Sequence, residues 1–412
     1  MNKAEIMTKR HDKKCPQAPR LRFPEFRDVG EWKIKKLSEL IKVIIPPKKL
    51  LTSEYQKSGL FPIVDQSQKY IAGWTNDKFS IIDNHQSVII FGDHTCILKL
   101  IEPPFAQGAD GIKIFYCPSD ILTKYAYQYI LFNPIKMEEY KRHFSILKEK
   151  SITYPNDKIE QQRIADCLSS LDERIAAETN KLDTLKEHKK GLLKQLFPTE
   201  GETTPELRFP EFQDAGEWED KILGNICEKI MDGTHFSPKS KCGPFLYITS
   251  KNIQNGLLDL SNASSISEEE HRQIFSKCPV KINDILLTKD GANTGNCALN
   301  NLDFEFSLLS SVAVLRCKKE YAIQEFIYYT IASPLFQKKI KESISGQAIT
   351  RITLEKIGSY RFFSPKKFEQ QRIADCLSSL DALITAQTQK INLLKDHKKG
   401  LMQQLFPRID EV

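Results

Sequence analysis

The sequence has no Cys-x-x-Cys pair, and its ten cysteines form no Cys/His cluster at zinc-ligand spacing. No apolar run approaches the ~18 residues of a membrane span. The opening stretch MNKAEIMTKRHDKKCPQAPR is basic and polar, without the apolar core of a secretory signal. There is no Walker A loop to cradle nucleotide phosphates, and no G-x-G-x-x-G follows an expected strand. Gly108-x-x-Gly111 and Gly291-x-x-x-Gly295 read as turns. Glu102-Pro-Pro-Phe105 approaches the Asn/Asp-Pro-Pro-aromatic motif of amino-methyltransferases, but glutamate has the wrong length and no glycine-rich cofactor loop accompanies it. His85 and His94 lack neighbours that would complete a metal site. We therefore expect reduced thiols in a cytoplasmic protein, with no metal, no cofactor and no catalytic residue in this chain.

What is present is repetition. Glu160–Pro198 (EQQRIADCLSSLDERIAAETNKLDTLKEHKKGLLKQLFP) returns 209 residues later as Glu369–Pro407. The first 13 positions match throughout, as do 15 of the remaining 26. A shorter box, LRFPEF-x-D-x-GEW, occupies Leu21–Trp32 and recurs at Leu207–Trp218. Between the boxes and the long repeats lie two inserts, about 33–158 and 219–367, with no obvious likeness to each other. For 412 residues the length alone suggests two or three domains. The repeat selects two similar frames around two different inserts.

The long repeats carry apolar residues at spacings of 3 and 4. In the first copy these are Ile164, Leu168, Leu171, Ile175, Leu182, Leu185, Leu192 and Leu196. In the second they are Ile373, Leu377, Leu380, Ile384, Ile391, Leu394, Leu401 and Leu405. Eight of ten heptad a and d positions are apolar in each copy. The exceptions are Glu178 and Lys189 in one, Gln387 and Lys398 at the same places in the other. This is a coiled-coil seam with polar interruptions suited to fixing register. A helix of about 37 residues is about 55 Å long, too long for its seam to be satisfied alone, so the two are expected to pair. Symmetric antiparallel pairing places Glu178 near Ile391 and Gln387 near Leu182. Asp157 with Glu160 forms an Asp-x-x-Glu capping pattern before the first helix, and Ser364-Pro365 precedes the second.

The inserts read as α+β. Strand-like runs fall at Phe61–Val64, Lys78–Ile82, Ser87–Phe91 and Ile112–Tyr116, followed by helices at Leu122–Leu131 and Met137–Leu147. The second insert has strands at Phe245–Thr249, Asp284–Thr288 and Ser310–Leu315, and a helix at Gln324–Ile331. The expected fold class is α+β: two globular domains of similar class joined by two long helices that pair as an antiparallel coiled coil. The expected division is a basic flexible arm over 1–20, domains at 21–158 and 207–367, helical spacers at 159–198 and 368–407, a linker at 199–206 and a tail at 408–412.

A net charge of +7 leans towards a polyanionic partner. The excess is small within the inserts: 17 basic against 12 acidic residues over 33–150, and 18 against 16 over 219–363. Any positive surface must therefore come from placement. Base edges are read by Arg, Lys, Asn, Gln, Ser and Thr, and phosphates by Lys, Arg and backbone N–H groups. Loops rich in these residues give the DNA-contact candidates. In the first insert they are Gln66, Lys69, Trp74, Thr75, Asn76, Lys78, His94, Thr95, Gln107 and Lys113. In the second they are Thr234, His235, Ser237, Lys239, Lys241, Lys251, Asn252, Lys289, Asn293, Thr294, Asn296, Gln347, Thr350, Arg351 and Thr353.

The repeated EQQRIADCLSSLD…HKKGL-x-x-QLFP helices, the repeated LRFPEF…GEW boxes and the two unlike inserts resemble a type I restriction-modification specificity subunit, over essentially the whole chain from Leu21. Within the inserts, FGDHT with PFAQGADGIK, and DILLTKDGANTGN with GQAITRIT, resemble target recognition segments of that family. The resemblance implies a non-catalytic subunit whose two domains each read half of a bipartite, asymmetric double-stranded DNA site. It implies helices that act as spacer and dock two methyltransferase subunits, through which restriction-translocase subunits attach. S-adenosylmethionine, ATP and magnesium would then be bound by the partners. Three alternatives stand beside this: a specificity subunit serving a methyltransferase alone, an enzyme with an unrecognised site in one insert, and a purely structural coiled-coil scaffold.

Overall fold

The structure is a computed structural model. It describes residues 19–407 except 31, 84–85, 110, 138–141, 241, 255 and 346–349. The arm up to residue 18 and the tail at 408–412 lie outside the described residues. Two units result, one running to Thr179 and resuming at Gln389, the other Asn180–Thr388.

The first unit contains β1 (Trp32–Lys36), α1 (Leu37–Leu40), β2 (Lys42–Ile44), β3 (Phe61–Val64), β4 (Gly73–Thr75), β5 (Ile81–Ile82), β6 (Val88–Gly92), β7 (Leu98–Ile101), β8 (Phe105–Gln107), β9 (Ile112–Tyr116), α2 (Thr123–Phe132), α3 (His143–Glu149) and β10 (Ser151–Pro155). Its sheets have the orders β2-β9-β6-β7 and β4-β3-β8-β5, while β1 pairs with β10. The chain then enters α4 (Lys158–Gln195). Two sequence expectations need correction here. Lys78–Ser80 forms one turn of 3-10 helix, because the Asp77 carboxylate accepts the Phe79 N–H at 3.0 Å, and only Ile81–Ile82 is strand. The helix expected from Met137 is seen among the described residues from His143.

The second unit contains β11 (Glu219–Ile222), α5 (Leu223–Ile226), β12 (Cys227–Asp232), β13 (Phe245–Ile248), β14 (Ile253–Gln254), β15 (Leu257–Leu258), β16 (Ser264–Ile266), α6 (Glu268–Phe275), β17 (Ile285–Thr288), β18 (Cys297–Leu299), β19 (Ser307–Leu308) and β20 (Val312–Cys317). After these come α7 (Gln324–Ala332), α8 (Pro334–Ile344), α9 (Leu354–Ser359), β21 (Arg361–Ser364) and α10 (Lys367–Leu405). The sheet order β12-β20-β17-β18 reproduces β2-β9-β6-β7 strand for strand. In the neighbouring sheet β13 runs parallel to β19 as β3 runs parallel to β8. Two inserts without sequence likeness thus share one topology. The central strands VIIFG and ILLT are buried along their whole length, which explains their unbroken apolar runs.

Each globular part is closed by the start of one long helix and the end of the other. In the first unit Ile164 and Leu168 of α4, with Leu405 at the end of α10 and Phe406 just after it, enter one core with Trp32 and Tyr125. The Phe406 ring meets Tyr125 at 5.6 Å and Tyr129 at 5.3 Å. In the second unit Ile373 and Leu377 join Leu196 and Phe197, with Phe197 5.5 Å from Phe326 and 6.4 Å from Trp218. The boxes fasten these junctions. Leu21 N–H donates to the Gln404 carbonyl, and Leu207 N–H to that of Gln195, both at 2.9 Å.

The repeated residues EQQ have distinct duties at the junction. Glu160 does not close a capping box; it takes the Arg22 guanidinium at 2.6 and 2.8 Å, as Glu369 takes Arg208 at 2.7 Å twice. Asp157 alone caps, accepting from Ile159 N–H. The buried Gln161 accepts the Leu122 N–H at the start of α2 and donates to the Pro155 carbonyl. Gln370 does the same for Ile323 and Pro365. One amide therefore ties strand, long helix and globular helix together.

The long helices pair antiparallel in both units, as expected. Ile164, Leu168 and Leu182 of α4 and Ile373, Leu377 and Ile391 of α10 are buried; Leu171, Ile175, Leu185, Leu380, Ile384 and Leu394 are half-buried. The two lysines that interrupt the seam find repeat-related aspartates: Lys398 bonds Asp172 at 2.6 Å, and Lys189 bonds Asp381 at 2.5 Å. Glu178 takes Lys390, next to Ile391. Asp172 also accepts from Gln128 of the first globular part, and Asp381 from the Tyr329 hydroxyl of the second. Replacing Asp381 with alanine strands the half-buried Lys189 ammonium and leaves the Tyr329 hydroxyl with Ser378 at 3.2 Å, and is expected to cost about 1–3 kcal/mol in urea unfolding. A loss below about 0.5 kcal/mol, the lower end for one hydrogen bond, would show that the seam does not need the aspartate.

Candidate nucleic-acid interface

In the first unit three of the candidate loops converge where parallel β3 and β8 end beside the β6–β7 hairpin, while Trp74–Lys78 lies at the other end of β3. Residues Asp65–Lys69 leave β3, and Ser67 N–H turns back onto the Asp65 carboxylate at 2.9 Å. The Thr95 hydroxyl donates to the Gln66 carbonyl at 3.3 Å. Asp93 N–H reaches the Gly111 carbonyl at 2.6 Å, and Ala109 N–H the Tyr55 hydroxyl at 2.9 Å. Two glycines permit this closeness. A Cβ on Gly92 would stand 2.3 Å from the Thr95 hydroxyl, and Gly111, at φ +93°, faces the Gln66 amide and the His94 ring. Gln66, Lys69, His94 and Thr95 are thereby brought together, with Lys69, His94 and Thr95 exposed.

Lys113 opens onto solvent from β9. Trp74 is held by paired backbone bonds with Gln56, and the Asn76 side chain accepts Leu60 N–H at 2.9 Å. Thr75 is buried with its hydroxyl accepting Asp77 N–H, Gln107 is buried in β8, and Lys78 is exposed.

The second unit builds its cluster from four segments. Gly291 N–H donates to the Thr350 carbonyl at 3.0 Å, and the Thr350 and Thr294 hydroxyls donate to the Gly291 carbonyl at 2.8 and 2.6 Å. Asn293 donates to the Ser250 carbonyl at 3.4 Å, and Asn296 to that of Ile253 at 3.3 Å. Ser310 N–H reaches the Thr234 carbonyl at 2.8 Å. Beneath lies a charged network. Lys289, 2% exposed, stands 3.2 Å from Asp232 and 3.6 Å from Asp290. Asp290 meets the exposed Arg351 at 3.3 Å, and Asp232 lies 3.7 Å from His235.

Thr234 and Asn252 are buried and serve turns, Asn252 accepting Thr249 N–H and donating to the Asp259 carbonyl. Lys251 is exposed, and Thr353 caps α9 through Lys356 N–H. Ser237 and Lys239 line a cleft of about 600 Å³ with Phe236, Glu270 and Gln273. Lys241 and Gln347 lie outside the described residues.

Sequence reasoning missed the residues beneath these loops. Lys99 of β7 is 5% exposed and donates to the carbonyls of Asp65, at 2.8 Å, and Lys69. Burial pushes its pKa below the ordinary lysine value, with the Asp65 charge opposing. The unfolded lysine then holds its proton more tightly than the folded one, so this group makes stability rise with pH between its depressed value and about 10.5. Asp93, Tyr55, Asp232, Asp290 and Ser311 were missed too. The available signal was a lone charge inside an apolar strand, as in ILKLI.

Among the described residues no group of three or more His, Cys, Asp or Glu side chains is placed to hold a metal ion, and no helix is long and apolar enough to cross a membrane. Glu102 is occupied by Lys124 at 3.1 Å.

Comparison with known proteins accounts for the doubled architecture. The family model for the type I restriction modification DNA specificity domain matches twice, over residues 30–187 and 215–396. The chain is 24% identical to a type I restriction enzyme specificity subunit (MjaVIII) of Methanocaldococcus jannaschii, covering 94% of this chain and 93% of that one. It is 24% identical to an Escherichia coli type I restriction enzyme specificity subunit, over 86% and 87% of the two chains. In structure it is similar to the S subunit of a type I restriction-modification system from M. genitalium, with a TM-score of 0.67 at 18% identity, covering 95% of this chain and all of the other. The chain belongs to the family of type I restriction-modification specificity subunits, with one DNA specificity domain in each half.

Proposed function

We propose that this chain gives a type I restriction-modification complex its DNA sequence specificity and catalyses nothing itself. Each domain reads one half of a bipartite, asymmetric double-stranded site. The paired helices set the spacing and dock two methyltransferase subunits, and restriction-translocase subunits attach through those. Adenine methylation with S-adenosylmethionine, and cleavage with ATP and magnesium, belong to the partners in the cytoplasm. The observation that carries this reading is one sheet topology repeated in two inserts whose sequences and loops are unlike. Two readers of different half-sequences need a constant frame and different reading residues.

The domains proposed for reading are residues 21–158 and 207–367, the spacers 159–198 and 368–407, joined by 199–206. The exposed candidates Lys69, His94, Thr95, Lys113, His235, Lys239, Lys251, Asn293, Arg351 and Thr353 are the first to test as contacts. Purified with its methyltransferase, the chain is expected to protect one bipartite sequence. Exchanging residues 33–158 for the insert of another family member should change one half of that sequence and leave the other. A change in both halves would refute the two-reader model. Methyl transfer by the isolated chain would establish the enzyme reading in its place.

A further inference from the structure

We propose that Lys99 is a positioning residue for recognition of the first half-site: its ammonium ties both ends of the Asp65–Lys69 loop and fixes how Gln66 and Lys69 are presented. This rests on the reading of the chain as a DNA specificity subunit. The Lys99 Nζ donates to the carbonyls of Asp65 and Lys69, the first and last residues of that loop. With Thr95 bonded to the Gln66 carbonyl, three of the loop's five carbonyls are pinned inward by the β6–β7 hairpin. The side chains of Ser67, Gln68 and Lys69 are left on the outside.

Burying an ammonium is costly, and a strand interior does not require one. The sister sheet demonstrates this. Lys99 faces Ile90 across the β6–β7 pair, and the matching place in β17–β18, opposite Leu286, is Ala298, fully buried. There the loop after β13 is held by neutral groups instead: the Asn293 and Asn296 amides and the Ser311 hydroxyl, which accepts Ser250 N–H at 3.1 Å. The common topology therefore tolerates a small apolar residue at this place. What the cation serves is the particular loop of the first domain.

The substitution Lys99→Met keeps the volume of the stem and removes the donor, while relieving a buried charge. It is expected to leave the melting temperature of the full chain nearly unchanged. Two readouts then score the proposal. In hydrogen exchange without DNA, the amides of residues 65–71 should exchange about tenfold faster in Lys99→Met, near the net worth of one lost hydrogen bond, and those of 249–254 at the parent rate. In complex with the methyltransferase, Lys99→Met should lose about tenfold of its discrimination against base changes in the first half-site and none in the second. Lys99→Arg, which keeps the charge and its donors, should recover most of that discrimination. Parent-like exchange in Lys99→Met would overturn the clamp. Faster exchange with unchanged discrimination, or equal loss in both halves, would overturn its role in recognition. If Lys99→Met fails to fold, a folded Lys99→Arg that discriminates no better than nonspecific binding does so too. A parent complex that protects no bipartite sequence would refute the DNA reading, and the exchange result would still decide the clamp.

Discussion

Replacing Phe406 with alanine should destabilise the first globular part by about 3–5 kcal/mol, the usual cost of deleting a buried aromatic ring. Phe406 is 1% exposed and packs edge-on against Tyr125 and Tyr129, with Phe132 5.3 Å away. The ring fills one core with Trp32, Leu168, Met402 and Leu405. The effect should be local. In hydrogen exchange, protection should fall over α2 (Thr123–Phe132) and hold over α7 (Gln324–Ala332). Phe197→Ala should give the mirror result through Phe326 and Trp218. Equal loss over both helices from either substitution would contradict this assignment.

The second large effect is expected at the Arg22–Glu160 pair. Glu160 is fully buried and the Arg22 side chain 12% exposed, so removing one partner leaves a charge in a desolvated place. Arg22→Met should cost about 3–5 kcal/mol, and adding Glu160→Leu should recover most of it, since a buried pair replaced by apolar groups is often neutral. Arg208 and Glu369 provide an internal repeat of the experiment, with one difference. The Trp218 indole N–H also reaches Glu369, at 3.3 Å, while that of Trp32 is buried with no partner among the described residues. Glu369→Leu therefore strands a second donor, and the double substitution in the second unit should recover less. Unfolding in urea, followed by Trp fluorescence, measures both. Equal recovery in the two units would show that the indole bond contributes nothing.

The frame was legible in the sequence because its signals are periodic or repeated. Heptad spacing locates α4 and α10, and Glu178, Lys189 and Lys398 each meet a partner on the other helix as antiparallel pairing requires. Apolar runs locate β3, β6, β9, β13 and β17 within a residue or two. The likeness of the two inserts was not legible. Topology depends on which positions are buried, and Ile90 and Leu286 fill the same place without resembling each other in their surroundings. Arg22–Glu160 was hidden for another reason: an ion pair 138 residues apart has no local pattern. The same applies to Lys99, whose partners are backbone carbonyls of any sequence. Loop composition could not separate exposed Lys69 and Arg351 from buried Lys289 and Thr234, because burial depends on contacts distant in the chain.

The seat of Phe406 has a consequence for synthesis. The second unit is one unbroken stretch, Asn180–Thr388, and is complete once its last residue has emerged. The first unit begins earlier but needs residues beyond Gln389 to fill its core. Domains usually mature in the order in which they are made, at about 5–20 residues per second. Here the order of completion is reversed. The earlier-made domain waits with Tyr125 and Tyr129 uncovered while some two hundred further residues are added, a delay on the order of ten to forty seconds at that pace. A ribosome that stops between Thr388 and Phe406 would release a chain whose later half is finished and whose earlier half is not.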